Sequence, residues 1–412
     1  TQVLAEALPK LIEGIKFGKS MRWNATNVAF SRPIRWIVSL LGETVIPFQY
    51  AGAISGNVTR GLRPYGSLEL EVAHYDAYVK AMQTEGVYLD REARRDAIIK
   101  QINELASGVN GTIPDDPGLL NEVTNLIEAP TALLGEFDER FLELPRDVLV
   151  TVMRDKQRYF PVQQADGALL PYFIAVRNGD KQHLEKVIHG NEQVLKARFS
   201  DADFFYAEDR KQPLSDYLPR LGTLTFQEKL GSMQDKNERV ASVIESLGEL
   251  IGVDATDIGI AQRAAHIAKA DLATQMVVEM TSLQGTMGRE YALKEGYPAE
   301  VANAIFEHWQ PRSADDDIPA STAGALLALA DKLDSLAGLF AAGLAPKSTS
   351  DPYGLRRAAL GVVQILIGKQ IDVDLALLLR AVAQVQPITV DVPTQEQVLE
   401  FVRGRLDVYL DE

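Results

Sequence analysis

Residues 261–292, AQRAAHIAKADLATQMVVEMTSLQGTMGREYA, decide how the second half of the chain is read. Small apolar residues fall on almost every face (Ala264, Ala265, Ile267, Ala268, Leu272, Ala273, Met276, Val277), so the periodicity predicts a helix inside an all-helical domain. Into that interior the stretch carries Asp271. A buried carboxylate costs on the order of several kcal/mol unless it is paired, hydrogen-bonded or metal-bound. What holds Asp271 therefore separates an enzyme from the remnant of one.

The chain of 412 residues has room for two or three domains, and 46% hydrophobic with 24% charged residues is ordinary globular usage. No apolar run reaches membrane-spanning length and no signal peptide opens the chain, so the expected location is cytoplasmic. The absence of cysteine excludes disulfides, thiolate catalysis and Cys-based zinc sites. A formal charge of −15 argues against a broad nucleic-acid surface and leaves only local cationic patches. Thr1 lies already inside an amphipathic stretch, and the charged helix expected over about 394–409 stops without a cap. The chain thus reads as part of a longer polypeptide.

The first half mixes strands and helices. Arg35–Leu41 and Thr44–Tyr50 read as a hairpin joined at Gly42-Glu43, and Leu68–Ala73 alternates at the strand period. Helices are expected at 75–84 and 91–107. Strands at 158–163 and 172–178 are joined through Asp166-Gly167, a pair that favours positive φ, and a helix over 181–199 closes this part. The second half has helical periodicity. Thr225–Glu228 reads as a capping box for a helix ending near Gly252. Further helices are expected at 298–309, 322–339 and 374–385, and Asp351-Pro352 reads as the cap of another. The fold class is α+β: an α+β domain over 1–205, a helical domain over 206–372 and a helical linker over 373–412.

Six blocks in order, MRWN with SRPIRWIVSLLG (21–42), VTRGLRP (58–64), FQEKLGSMQDKNERV (226–240), AKADLATQMVVEMTSLQGTMGREYA (268–292), ADKLDSLAGLF (330–340) and DPYGLRRAALG (351–361), resemble the beta subunit of bacterial glycyl-tRNA synthetase. The resemblance implies a chain without a catalytic site of its own and without a cofactor, which holds glycine tRNA, by its acceptor arm, for an alpha subunit. That subunit would use ATP and Mg, as partner in an α2β2 assembly or fused in one chain. It also implies that the first domain is similar to the editing-type domain of the phenylalanyl-tRNA synthetase beta chain. The second would be similar to HD-superfamily metal phosphohydrolases, and an anticodon-binding domain would lie outside this sequence. No phosphate-binding GxxxxGK[ST] loop is present.

Both hydrolytic ancestries are alternatives to a binding role. The HD metal dyad falls on Ala270 and Asp271, so a methyl replaces the metal-binding imidazole, and Asp331 matches the last HD aspartate. His266, five residues from Asp271, would point about 140° away on a helix. The position of the first HD histidine, within 234–239, holds none. Without imidazoles these carboxylates make a poor transition-metal site, so no metal is expected. They read instead as vestigial, structural acids with Lys269, Lys332 or Arg289 as candidate partners. Editing is disfavoured because a glycine pocket excludes larger side chains sterically. His74, His183 and His189 sit in ordinary polar settings. The candidate tRNA contacts are Arg356 and Arg357 at a helix start, Arg289, Lys229, Lys236, Arg239, Arg60 and Arg63. Each also has a plain reading as a solvated cation. Tyr159, Phe160, Tyr172 and Phe173 read as base-stacking rings or, more simply, as sheet core.

Overall fold

The computed structural model describes residues 1–62, 66, 68–348 and 350–411; Arg63 falls outside them. The architecture is α+β, as expected from the sequence. It divides into one unit of residues 1–142 and 152–197 and another of residues 143–151 and 198–412.

Unit 1 opens with α1 (Gln2–Gly14) and the short strands β1 (Ile37–Val38), β2 (Leu40–Leu41), β3 (Thr44–Val45), β4 (Gln49–Tyr50), β5 (Ala53–Gly56), β6 (Val58–Arg60) and β7 (Glu69–Glu71). It continues with α2 (Tyr75–Thr84), α3 (Arg91–Gly108), α4 (Pro117–Leu126) and β8 (Pro130–Glu136). After α5 (Arg146–Thr151), which belongs to unit 2, come β9 (Phe160–Gln163), β10 (Leu169–Asn178) and the start of α6 (Leu184–Asp209). The expected hairpin at Gly42-Glu43 is present as β2–β3, with Leu41 opposite Thr44. The two long strands expected around it are instead four short ones. Their partner changes at Ser39: β1 runs parallel to β5, while β2 pairs with β3.

The larger sheet, β8-β10-β9, is antiparallel, with β10 in the centre. Asp166-Gly167 makes the foreseen turn, with Gly167 at φ +88°. Strand β8 escaped the sequence reading because PTALLG is a short apolar run without alternation that opens on proline. Against this sheet pack Ile98, Ile102 and Ala106 of α3 and Leu119 and Val123 of α4, in one cluster with Phe160, Val162 and Ile174. Asp90 and Asp116 cap α3 and α4 by accepting from Ala93 N (2.7 Å) and Leu119 N (2.8 Å). Tyr159 stacks on Phe173 at 4.7 Å, and both are buried, so these rings are sheet core.

Unit 2 adds the small ribbon β11 (Thr225–Gln227) and β12 (Gly231–Ser232), then α7 (Met233–Ile251), α8 (Ala255–Ile267), α9 (Gln275–Glu279), α10 (Thr286–Lys294), α11 (Ala299–Glu307) and α12 (Thr322–Ala341). It ends with α13 (Leu355–Gly368), α14 (Leu375–Gln384) and α15 (Val392–Asp411). The capping box lies about two helical turns later than expected, at Ser232 in place of Thr225. Thr225–Gln227 is strand, and Ser232 and Asp235 form the reciprocal pair, with Ser232 N donating to Asp235 at 2.6 Å. Gly252 closes α7 in the left-handed region, as foreseen. α12 is the central helix: α7, α8, α11, α13, α14 and α15 all pack on it. The expected linker over 373–412 is therefore built into this unit, with Leu378, Leu379, Val382, Val398 and Val402 buried.

A methyl added at Gly135 of β8 would lie 2.3 Å from the Phe173 ring, whose own burial is complete. Gly135→Ala is expected to destabilise unit 1 by about 1–3 kcal/mol, as overpacking does, read as a lowered denaturation midpoint of the unit-1 signal.

Candidate functional site

The stretch 261–292 is buried as predicted but is not one helix. α8 ends at Ile267, a 3₁₀ turn covers Ala270–Ala273, and α9 and α10 follow separately. Polar side chains produce each break. Asn237 donates to His266 O at 3.0 Å and so takes a carbonyl at the end of α8. Thr274 caps α9 by accepting from Val277 N, with its hydroxyl donating to Asp271 O at 2.7 Å. Asp271 then reaches the start of α10: Oδ2 accepts from Gly285 N (2.6 Å) and Gly288 N (3.0 Å). Gly285 has φ +78° and no side chain to cap with, so Asp271 caps α10 from a distance in sequence. His266 is exposed while Asp271 is buried, so the two do not meet.

Asp331 belongs to a different cluster. Its Oδ1 lies 2.9 Å from Lys269 Nζ and 3.2 Å from Lys236 Nζ. Lys236 also reaches Asp334 (2.9 Å), Ser335 Oγ (2.9 Å) and Asp331 O (3.1 Å). Arg239 holds Asp334 Oδ1 at 2.9 Å and donates to Leu230 O, and Gln386 Nε2 donates to the same carboxylate. Lys269 Nζ lies 3.2 Å from His308 Nε2 and 4.3 Å from the centre of the Trp309 ring. Lys332, next in sequence to Asp331, donates to Gln310 O at 2.7 Å. Apart from Asp331, which is 14% exposed at the side chain, these charged groups are almost wholly buried.

The protonation states follow from the partners. Burial pushes the Asp331 carboxyl up, but the Lys236 and Lys269 ammoniums outweigh it and hold the group far below the carboxylate range. Asp334 is likewise lowered against its burial by Lys236 and Arg239. Lys236 is raised because Asp331 and Asp334 overcome its desolvation. Lys269 is lowered by burial, and Lys332 by burial to about 8. His308 is pushed well below 6.5 by burial and then by Lys269. It is therefore neutral, with Nδ1–H donating to Ile305 O at 2.5 Å and Nε2 accepting from Lys269. Asp271 has no lysine in contact. Burial raises it to about 6 against the two glycine N–H groups, and its Oδ1 accepts no hydrogen bond among the described residues. Ammoniums, not imidazoles, face Asp331: Lys236, Lys269, Lys332 and the Arg239 guanidinium are gathered around two carboxylates, Asp331 and Asp334.

The predicted contact residues separate into buried and exposed sets. Lys236 (3% exposed) and Arg239 (8%) are committed to the interior, which corrects their reading as cations on a helix flank. Lys229 is exposed. Arg289 pairs with Asp147 at 3.6 Å and lies over Phe306; neither Asp271 nor Asp331 is its partner. Arg60 pairs with Glu69 at 2.5 Å. At 351–357 the expected cap is displaced. α13 starts at Leu355, and Asp351 accepts from Leu355 N (2.8 Å) and Arg356 N (2.9 Å) across the turn. Those N–H groups are thus taken by the protein's own carboxylate and do not form an open anion cradle. Arg356 is half-buried and donates to Ser348 O, whereas Arg357, Lys347 and Tyr353 are exposed.

The family model described as glycyl-tRNA synthetase beta subunit matches residues 1–412. The chain belongs to this beta-subunit family. It is 47% identical over 374 residues to the glycine–tRNA ligase beta subunit of Desulforamulus reducens, covering 91% of this chain and 54% of that protein. Against the beta subunit of Halalkalibacterium halodurans it is 45% identical over 417 residues, covering 100% and 60%. Against "Glycine--tRNA ligase, chloroplastic/mitochondrial 2" of Arabidopsis thaliana it is 45% identical over 409 residues, covering 99% and 38%. The chain thus spans between 38% and 60% of the length of these relatives.

In this beta-subunit chain, sequence reasoning found Asp271 and Asp331 but missed Asp334, Lys236 as an interior cation, and His308. Asp334 stands three residues after Asp331, one helical turn, which puts both on one face; that spacing was the available signal. His308, just past the end of α11 and next to Trp309, gave none.

Two stability experiments test these assignments. Removing Asp334 leaves Arg239 buried without its carboxylate and Lys236 without one of its two, so Asp334→Ala is expected to cost about 3–5 kcal/mol in denaturant unfolding. Asp271 acts in the opposite sense. Folded, it holds its proton up to about pH 6; unfolded, it releases it near 3.8. Its protonated form therefore contributes stability below the unfolded value, and that contribution is lost as the pH rises through 6. From pH 4 to pH 7.5, the stability of Asp271→Asn relative to the native chain is expected to rise by about 2 kcal/mol. A difference independent of pH would show that the carboxyl is not shifted.

Proposed function

We propose that this chain is the tRNA-holding part of the beta subunit of a glycine–tRNA ligase. It would present the acceptor arm of glycine tRNA to an alpha subunit that carries out ATP- and Mg-dependent aminoacylation, in an α2β2 assembly or a fused chain. In this reading unit 2 is a degenerate HD-type domain and unit 1 is of the phenylalanyl-synthetase editing type, both kept as scaffold. The observation that carries the proposal is the exposed group Lys347, Tyr353 and Arg357, with Arg356 beside it, inside a chain whose whole length matches the beta-subunit family. Lysine and arginine neutralise phosphate, and a solvent-facing tyrosine ring offers a stacking surface for an unpaired base.

Lys229, Arg60 and Arg289 are secondary contacts in this proposal, because the latter two already hold an acidic partner. Lys236 and Arg239 are left out of the contact set. The lysine-neutralised Asp331 and the methyl of Ala270 also favour binding over metal-assisted hydrolysis.

Titration of labelled glycine tRNA with this chain and the alpha subunit, across a salt series, tests the proposal. Lys347→Ala/Arg357→Ala is expected to weaken binding about tenfold or more and to flatten the log–log salt slope by about 0.7–0.9 per lost phosphate contact. Unchanged affinity and slope would remove this patch. Binding without salt dependence would remove the tRNA role.

A further inference from the structure

Unit 1 contains a cleft of about 840 Å³ that the tRNA reading does not use. Its volume lies in the range of small-molecule sites, about 300–1,000 Å³. One wall comes from β1 and β2, with Trp36 just before them, and from the β2–β3 turn, where Gly42 at φ +60° is followed by Glu43. The other comes from the start of α2, which supplies His74, Tyr75, Asp76 and Tyr78.

The lining has a consistent chemistry. Three aromatic rings, Trp36, Tyr75 and Tyr78, border the cleft together with two carboxylates, Glu43 and Asp76. No Lys or Arg is among its described lining residues, and neither carboxylate has a hydrogen-bond or ion-pair partner among the described residues. Both are exposed, and Asp76 also stands in the first turn of α2, where its charge meets the helix dipole. The Trp36 ring already takes a cation: the Arg60 guanidinium lies 5.8 Å from its centre. His74 accepts from Ala77 N through Nδ1, so its ring is held at the helix start with Nε2 free of that bond.

Ring faces carry negative potential and attract cations, most strongly where carboxylates add to it. A phosphate-bearing ligand would meet two unneutralised carboxylates, and a neutral one would leave them unused. We propose that this cleft is a binding site for a small organic cation, a guanidinium or alkylammonium compound, whose charged end lies against the Trp36 and Tyr rings with its N–H groups toward Glu43 and Asp76. The proposal does not rest on the tRNA reading, though Arg60, a secondary contact there, lies over the Trp36 ring.

The test uses n-butylguanidine and its uncharged counterpart of the same shape, n-butylurea, followed by NMR through the Trp36 indole N–H. That resonance is assigned by its loss in Trp36→Phe. Butylguanidine is expected to shift it saturably, with butylurea about tenfold weaker or more, the difference one desolvated cation contact makes. In Glu43→Gln/Asp76→Asn, with retained folding checked by its melting temperature, the preference is expected to disappear. Equal binding of the two probes, undiminished butylguanidine binding by the double variant, or no shift at saturating probe would each overturn the proposal.

Discussion

The ion pairs between the Lys236 and Lys269 ammoniums and the Asp331–Asp334 face of α12 are the constraint on which unit 2 depends. α12 is buried along almost its whole length, so any charge on it must be met by charge from its neighbours. α7 supplies Lys236 and Arg239, and the segment after α8 supplies Lys269. The partners come from two elements, so the network fixes the register of both against the central helix as apolar contacts alone would not. A buried pair of this kind adds little net stability over a hydrophobic replacement, but losing one member is costly.

A second regularity concerns helix starts. Asp209 accepts from Gln275 N (2.7 Å), Met276 N (2.9 Å) and Tyr291 OH (2.9 Å), which caps α9. Asp271 caps α10, and the Glu307 carboxylate accepts from Ser321 at the start of α12. These acids are buried and distant in sequence from the helices they serve. Each lies where unpaired N–H groups and the positive end of the helix dipole stabilise negative charge. The interior acids of this unit are therefore explained by backbone geometry and ammonium partners.

Much of this was legible in the sequence where local rules govern. α2 and α3 were placed by periodicity, the Asp166-Gly167 turn and the left-handed Gly252 by turn chemistry, and the burial of Asp271 by its apolar surroundings. What escaped depended on partners distant in sequence. The break after α8 comes from Asn237, which lies outside 261–292, and the one before α10 from Asp271 reaching Gly285, a separation that helical periodicity does not sample. Lys236 and Arg239 gave the same pattern as solvent-facing cations because the acid that buries them, Asp334, lies almost a hundred residues later. At 351–357 composition was read correctly as a cap, but the intervening turn moved the helix to Leu355 and spent the carboxylate on its N–H groups.

The placement of Lys269 has a consequence for how the unit responds to its surroundings. A cationic side chain cannot dissociate from the protein, whereas a bound ion is present only as its free concentration allows, and the folded state then follows that concentration by mass action. With ammoniums tethered beside Asp331, the positive charge that its carboxylate needs is part of the covalent chain. Neither a chelator nor a scarcity of divalent ions can withdraw it.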